Sequence, residues 1–287
     1  MAEVIDGRKI AMEMQRSIKE KVEDLESVSG QRPKLVSIMT GSEKEAELYV
    51  RVQKKTADSI GIVFDTCELD ENIKQGEFIR KIEELNRDGR VTAMIVQHPL
   101  PEGLDYDKVI SAIRPEKDAE GIHPYNLGRI FRRDAYIVPC TPGAVMKILR
   151  VNGIDPYGKD VVILGHSAIV GKPLSLMMLN ETATTAVCHI GTAEKGNITD
   201  YTRKADILVV AVGKPEMVKG DWIKKGAAVI DVGINNVAGK IVGDVDFGEV
   251  SEKASVITPV PGGVGPVTVS VLMRNVLRAY GVQHGKV

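Results

Sequence analysis

Lys159-Asp-Val-Val-Ile-Leu-Gly165-His-Ser-Ala-Ile-Val-Gly171-Lys-Pro173 reads as a buried strand, a tight loop and the start of a helix. The apolar run stops at Gly165, which permits the sharp turn, and Gly171 permits close packing of the helix on the sheet. Amides at the start of such a helix point at whatever sits above the strand ends, typically a pyrophosphate. The spacing is Gly-x-Ser-x-x-x-Gly, not Gly-x-Gly-x-x-Gly. A glycine turn that binds nothing fits it as well as a dinucleotide loop does. Three further strand ends favour a ligand. Cys188-His-Ile-Gly-Thr192, Ala211-Val-Gly-Lys-Pro215 and Asp231-Val-Gly-Ile-Asn235 each carry a glycine just past a buried strand. Ligands of open α/β sheets lie over such carboxyl ends. The ribose-binding acid usual after the second strand is missing, and His189, Ile190 and Gly191 stand there instead.

Outward from this unit, short apolar runs alternate with helical periodicity. Strands are expected at Lys34–Met39, Ile62–Leu69, Thr92–Gln97, Val161–Gly165, Thr184–His189, Ile207–Val212 and Ala227–Val232. Between them, Ile10, Met14, Ile18, Val22 and Leu25 repeat at helical spacing, as do Ala46, Tyr49, Val50, Gln53, Ala57 and Ile60. The alternation predicts an α/β fold with parallel sheets and right-handed crossovers. Breaks fall at Cys140-Thr-Pro-Gly143, Asp155-Pro-Tyr-Gly158 and Thr258-Pro-Val-Pro-Gly-Gly-Val-Gly-Pro266. Pro266 suits the first turn of a closing helix that runs to about Tyr280 and returns to the first domain. The expected division is 1–140 plus 266–287 for one domain and 141–265 for a Rossmann-like second one.

The chain has 287 residues, 43% of them hydrophobic, which fits two domains. A net charge of −1 gives no basic excess for nucleic acid or an anionic membrane. No apolar run approaches the roughly 20 residues of a membrane span, and the start lacks an apolar signal region. Three scattered cysteines exclude a disulfide framework and a four-cysteine metal site. His98, His123, His166 and His189 show no metal-ligand spacing. A cytoplasmic protein without a metal is expected.

In the first domain, Tyr49 and Gln53 are four residues apart on one helix face, the apolar one. Gln97 ends a strand in Ile95-Val-Gln-His-Pro-Leu-Pro101, and Arg114-Pro-Glu-Lys-Asp-Ala-Glu-Gly121 is an acidic loop. A buried glutamine needs hydrogen-bond partners. Taken singly, each of these residues also suits an ordinary core tyrosine or a solvated loop.

Together the motifs resemble the methylenetetrahydrofolate dehydrogenase/methenyltetrahydrofolate cyclohydrolase family from end to end. The matching stretches are Ile5-Asp-Gly-Arg-Lys9, Tyr49-Val with Gly61-Ile, Val96-Gln-His-Pro-Leu-Pro101, Pro115-Glu-Lys-Asp118, Pro139-Cys-Thr-Pro142, Gly165 to Pro173, Asp231-Val-Gly-Ile-Asn235 and Ile257-Thr-Pro-Val-Pro-Gly-Gly-Val-Gly-Pro-Val-Thr-Val269. The resemblance implies two α/β domains flanking a cleft, NAD(P) on the second, a tetrahydrofolate derivative between them, and a homodimer. It implies catalytic roles for Tyr49, Gln53, Gln97 and Glu120. It assigns Tyr49, Asp118, Glu120, Pro261, Gly262 and Gly263 to the substrate. The cofactor would take Gly165, His166, Ser167, Ile169, Val170, Gly171, Ile190, Val212, Gly213 and Ile234.

Three active-site positions depart from the family pattern. Its catalytic helix carries Ser-x-x-Tyr-x-x-x-Lys, and here Ala46 replaces the Ser and Gln53 the Lys. Glu120 replaces the family's pterin-holding Asp, while Asp118 keeps the first Asp of the same motif. His166 stands where many members carry Arg, and Ile190-Gly191 replaces a polar or basic pair, which removes obvious donors for a 2′-phosphate. An amide neither gives nor takes a proton at neutral pH. The expectation is a methylenetetrahydrofolate dehydrogenase whose cyclohydrolase is weakened or lost. The alternatives are the full bifunctional enzyme, with another group replacing the Lys, and a folate- or nucleotide-binding paralogue with little catalysis.

Overall fold

The structure is a computed structural model that describes residues 1–41 and 44–285, the side chains of residues 44–46 excepted. In chain order the strands are β1 (Glu3–Val4), β2 (Lys34–Thr40), β3 (Val63–Leu69), β4 (Ala93–Val96), β5 (Asp160–Leu164), β6 (Thr184–Cys188), β7 (Ile207–Val210), β8 (Ala228–Asp231), β9 (Asn235–Val237), β10 (Lys240–Val242) and β11 (Val256–Ile257). The helices are α1 (Gly7–Ser29), α2 (Lys44–Ser59), α3 (Gln75–Arg87), α4 (Tyr106–Ala112), α5 (Pro124–Phe131), α6 (Cys140–Val151), α7 (Gly171–Asn180), α8 (Ile190–Glu194), α9 (Ile198–Thr202), α10 (Phe247–Ser251) and α11 (Val264–Gln283). All seven strands read from the sequence form.

The chain divides into two units, one of Met1–Met12 with Pro139–Thr268, the other of Glu13–Val138 with Val269–Val287. In the second, a parallel sheet runs β3-β2-β4. Side chains alternate across it. Val36, Ile38, Met94 and Val96 face Phe78 and Ile82 of α3 and Val109 and Ile110 of α4 in one buried cluster. Ser37 lies out of phase with that set and is fully buried too. Beyond α4 the chain returns beside β4, with Met94 bridged to Asp118 and the Ala119 N–H donating to the Met94 carbonyl at 3.0 Å.

The other unit holds a six-stranded parallel sheet in the order β1-β11-β8-β7-β5-β6. From β5 the chain winds one way to β6 and the other way to β7 and β8, so the turn after β5 marks the switch point, where such sheets open a crevice. Its central strands β5, β7 and β8 are almost pure Val, Ile, Leu and Ala, as burial on both faces requires. The expected division puts residues 1–12 in the first domain, whereas here they cluster with the six-stranded unit, where β1 pairs with β11, Val4 against Ile257. A two-residue strand has no periodicity to read. Cys140-Thr-Pro-Gly143, read as a break, is instead the first turn of α6. Proline is tolerated there because first-turn amides have no intrahelical partner.

Candidate functional site

Gln97 lies one residue past β4, its N–H donating to the Ile38 carbonyl at 2.9 Å. Its Nε2 donates to Ser37 Oγ at 3.0 Å and to Gln53 Oε1 at 3.1 Å. The two glutamines singled out from the sequence therefore meet, with Ser37 as a third member that sequence reading passed over. A lone serine in an apolar strand was its only signal. Gln53 is 0% exposed. Its Nε2 is buried and has no hydrogen-bond partner among the described residues. An unmade bond of this kind costs about 1–3 kcal/mol, so the amide is a donor waiting for an acceptor. None of the three side chains titrates near neutrality.

Tyr49, expected to share a helix face with Gln53, is 40% exposed. The buried stripe of α2 is Val50, Gln53, Ala57 and Ile60. Tyr49 stands about 60° from the centre of that stripe. Ala46, one of the departures, has its side chain outside the described residues. Lys54 is exposed, as its rotation of about 100° from Gln53 requires.

A second polar group lies on the segment beside β4. Asp118 accepts hydrogen bonds from the Gly121 N–H (2.9 Å), the His123 N–H (2.8 Å) and Asn126 Nδ2 (2.9 Å). Burial pushes its carboxyl up and these donors oppose the rise. The carboxylate thus builds the loop that carries Glu120. Glu120 Oε2 is buried and has no partner among the described residues. Burial first, and then the charge of Asp118, push the Glu120 carboxyl up to about 8. The Tyr106 hydroxyl is buried without a partner too. Its ionisation is suppressed by burial and by the charges of Glu120 and Asp118. The His98 ring lies 4.2 Å from the Tyr106 ring, and burial lowers its pKa. Tyr106 was not singled out, because only the folded chain brings α4 to the segment beside β4.

In the other unit, a Cβ on Gly165 would run into the Ala211 carbonyl, and one on Gly171 into the Gly165 carbonyl. The loop after β5 is thereby pressed against the end of β7. A cavity of about 300 Å³ opens over these strand ends, lined by Gly165, His166, Ser167, Ile190 and Val212 of the expected set, and also by His189, Ile198, Lys214 and Met217. His189 Nδ1 accepts from the Gly191 N–H at 3.2 Å, leaving Nε2 to donate, and its ring lies 5.1 Å from that of His166. Ile190, Ile198 and Met217 give the cavity an apolar lining beside the polar groups of His166, Ser167, His189 and Lys214. Ile169, Val170, Gly171 and Gly213 flank this cavity without lining it, and Ile234 is 67% exposed on the turn after β8. Lys214 is a cation the sequence reading did not use, although Ala211-Val-Gly-Lys-Pro215 placed it at a strand end.

Pro261-Gly262-Gly263 packs backbone to backbone against the start of α1. A Cβ on Gly7 would strike the Gly263 carbonyl, and Gly262 adopts φ +107° over the Arg8 guanidinium. No helix among the described residues is long and apolar enough to cross a membrane.

Residues 5–120 match the tetrahydrofolate dehydrogenase/cyclohydrolase catalytic domain, and residues 139–284 match the tetrahydrofolate dehydrogenase/cyclohydrolase NAD(P)-binding domain. The bifunctional protein FolD of Magnetococcus marinus is 46% identical over 276 residues, 96% of this chain and 96% of that protein. The crystal structure of the bifunctional FolD methylenetetrahydrofolate dehydrogenase/cyclohydrolase from Campylobacter jejuni superposes with a TM-score of 0.95 at 40% identity, covering 99% of this chain and 100% of that one. The Trypanosoma brucei methylenetetrahydrofolate dehydrogenase-cyclohydrolase, solved with NADP and an inhibitor, gives a TM-score of 0.94 at 42% identity over 99% and 98% of the two chains. The chain belongs to the tetrahydrofolate dehydrogenase/cyclohydrolase family and carries that family's NAD(P)-binding domain.

Proposed function

We propose that the protein oxidises 5,10-methylenetetrahydrofolate to 5,10-methenyltetrahydrofolate with NAD(P)+, and that its cyclohydrolase step is weakened or absent. The carrying observation is the buried amide pair, Gln97 Nε2 to Gln53 Oε1 at 3.1 Å, where the family pattern has a lysine. Bound NAD(P)+ supplies the hydride acceptor. The lone pair of a folate nitrogen drives hydride out of the one-carbon bridge, so no protein base is required. The protein contributes position, which is worth up to roughly 7 to 11 kcal/mol in favourable cases. Gln53 Nε2 offers an unspent donor to a substrate acceptor, Tyr49 presents its exposed ring from the same helix, and Glu120 offers its unspent Oε2 to the pterin end. Gly165 to Gly171 with His166, Ser167, Ile190 and Val212 receive the dinucleotide.

Hydrolysis of the methenyl product needs water activated at carbon and a ring nitrogen protonated. General acid/base groups typically supply about 10² to 10⁴-fold for such steps. Gln53, Gln97 and Ser37 supply none. A second reading keeps the full bifunctional activity, and Glu120 favours it, because a carboxyl pushed up to about 8 exchanges its proton near neutrality. The test is the pair of rates, dehydrogenase and cyclohydrolase, on one preparation. A fast dehydrogenase with a cyclohydrolase at least a hundredfold slower supports the first reading. Equal, fast rates return the chain to the bifunctional class. No cofactor reduction with methylenetetrahydrofolate would make it a binding paralogue.

A further inference from the structure

We infer that Asp231 and Asp244 are positioning residues for the dinucleotide, an interlocked carboxylate clasp that sets the two strand-end turns Val212-Gly213 and Gly233-Asn235. The inference rests on the reading that NAD(P) lies over the carboxyl ends of β5, β7 and β8.

Asp244 is fully buried. Its Oδ2 accepts from the Val212 N–H at 2.7 Å and the Gly213 N–H at 2.9 Å, and its Oδ1 accepts from Asn235 Nδ2 at 2.9 Å. One carboxylate therefore joins the turn that leaves β7 to the residue that opens β9. Asp231, at the end of β8, accepts from the Gly233 N–H (2.9 Å), the Asp244 N–H (3.1 Å) and the Val245 N–H (3.0 Å). The Asp231 N–H in turn donates to Thr258 Oγ1 at 2.7 Å.

The two acids are locked by sterics as well. A Cβ on Gly233 would occupy the place of the Asp244 carboxyl, and a Cβ on Gly243 that of the Asp231 carboxyl. Each acid thus lies on the glycine beside the other. Two buried carboxylates so close together repel each other and are costly to desolvate. Every oxygen is met by a donor, which is how such a pair is tolerated. A mere core would use apolar side chains of the same volume at lower cost. What the carboxylates add is direction. They fix the peptide planes of Val212-Gly213 and Gly233, so the Val212-Gly213 turn keeps one orientation at the cavity that Val212 and Lys214 line, tied through Asp244 to Asn235.

The variant that tests this is Asp244→Asn, because an amide of the same shape has one acceptor oxygen where the carboxylate has two, so its Nδ2 must face either the Val212 and Gly213 N–H groups or Asn235 Nδ2. NADH and NADPH binding is followed by fluorescence on the full chain, alongside KM for methylenetetrahydrofolate and thermal midpoint. The expected result is a rise in Kd of at least tenfold for both dinucleotides, with KM for the folate changed less than twofold. Asn235→Ala removes only one bond of the clasp and should raise Kd about threefold, and it stands in if the first variant does not fold. A lowered thermal midpoint with unchanged dinucleotide Kd in either variant would overturn the inference and leave the clasp as structural support. Failure of the unaltered protein to bind either dinucleotide would instead overturn the reading on which the clasp rests.

Discussion

Glu120→Gln is the substitution with the largest expected pH signature. Burial and the charge of Asp118 raise the Glu120 carboxyl from 4.5 to about 8 in the folded chain. The folded state therefore keeps a proton that the unfolded state gives up at 4.5. Its stabilising contribution is complete below pH 4.5 and is lost as pH rises to about 8, beyond which both states are ionised. At about 1.36 kcal/mol per pH unit across that interval, the loss reaches about 5 kcal/mol at most. Asp118 is present in both proteins, so its own titration largely cancels in the comparison. Urea unfolding of the unaltered protein and of Glu120→Gln, at intervals from pH 5 to pH 9, measures the difference. The variant should gain on the unaltered protein with pH up to about 8, by several kcal/mol, and the difference should level off above that. A stability difference that stays constant within about 1 kcal/mol from pH 5 to 9 would refute the buried, unpartnered carboxyl. The same variant decides the source of any residual methenyl hydrolysis. If Glu120 exchanges the proton, that rate disappears in Glu120→Gln and, in the unaltered protein, changes with pH near 8.

Gln53→Lys should raise the cyclohydrolase rate by about 10² or more, since burial beside Gln97 and Ser37 depresses a lysine pKa toward neutrality; hydrolysis of methenyltetrahydrofolate measures it, and an unchanged rate would show that the amide pair is not what limits the step. Lys214→Ala tests Lys214, which lines the cavity, as the cation for a 2′-phosphate: kcat/KM for NADP+ should fall about tenfold with NAD+ nearly unaffected, the effect of one charge-assisted contact; equal losses for both cofactors would remove Lys214 from that role. Light scattering at micromolar concentration should give twice the 31.2 kDa of the chain, and a single-chain mass would exclude the homodimer.

The seven principal strands were legible because each is a short apolar run bounded by glycine, proline or charge. The Gly165 to Gly171 loop was legible because only glycine tolerates backbone approach at both ends. Gln53 and Gln97 could be named from their places at a helix face and a strand end. Their hydrogen bond could not, since it joins residues 44 apart in the chain. The exposure of Tyr49 was hidden because helical spacing gives angles between side chains but not which angle faces the core. Strand β1 was missed since two residues carry no period, and its place at the sheet edge is set by a partner at residues 256–257. Sequence alone determined the fold class and the family, through local patterns that the backbone obeys wherever the rest of the chain goes. Tertiary structure alone decided that Glu120 Oε2 is buried within reach of the Asp118 charge, that Lys214 lines the cavity and that Asp231 and Asp244 interlock. Burial, ionisation and hydrogen-bond partners belong to the space between elements, and no single stretch of chain contains them.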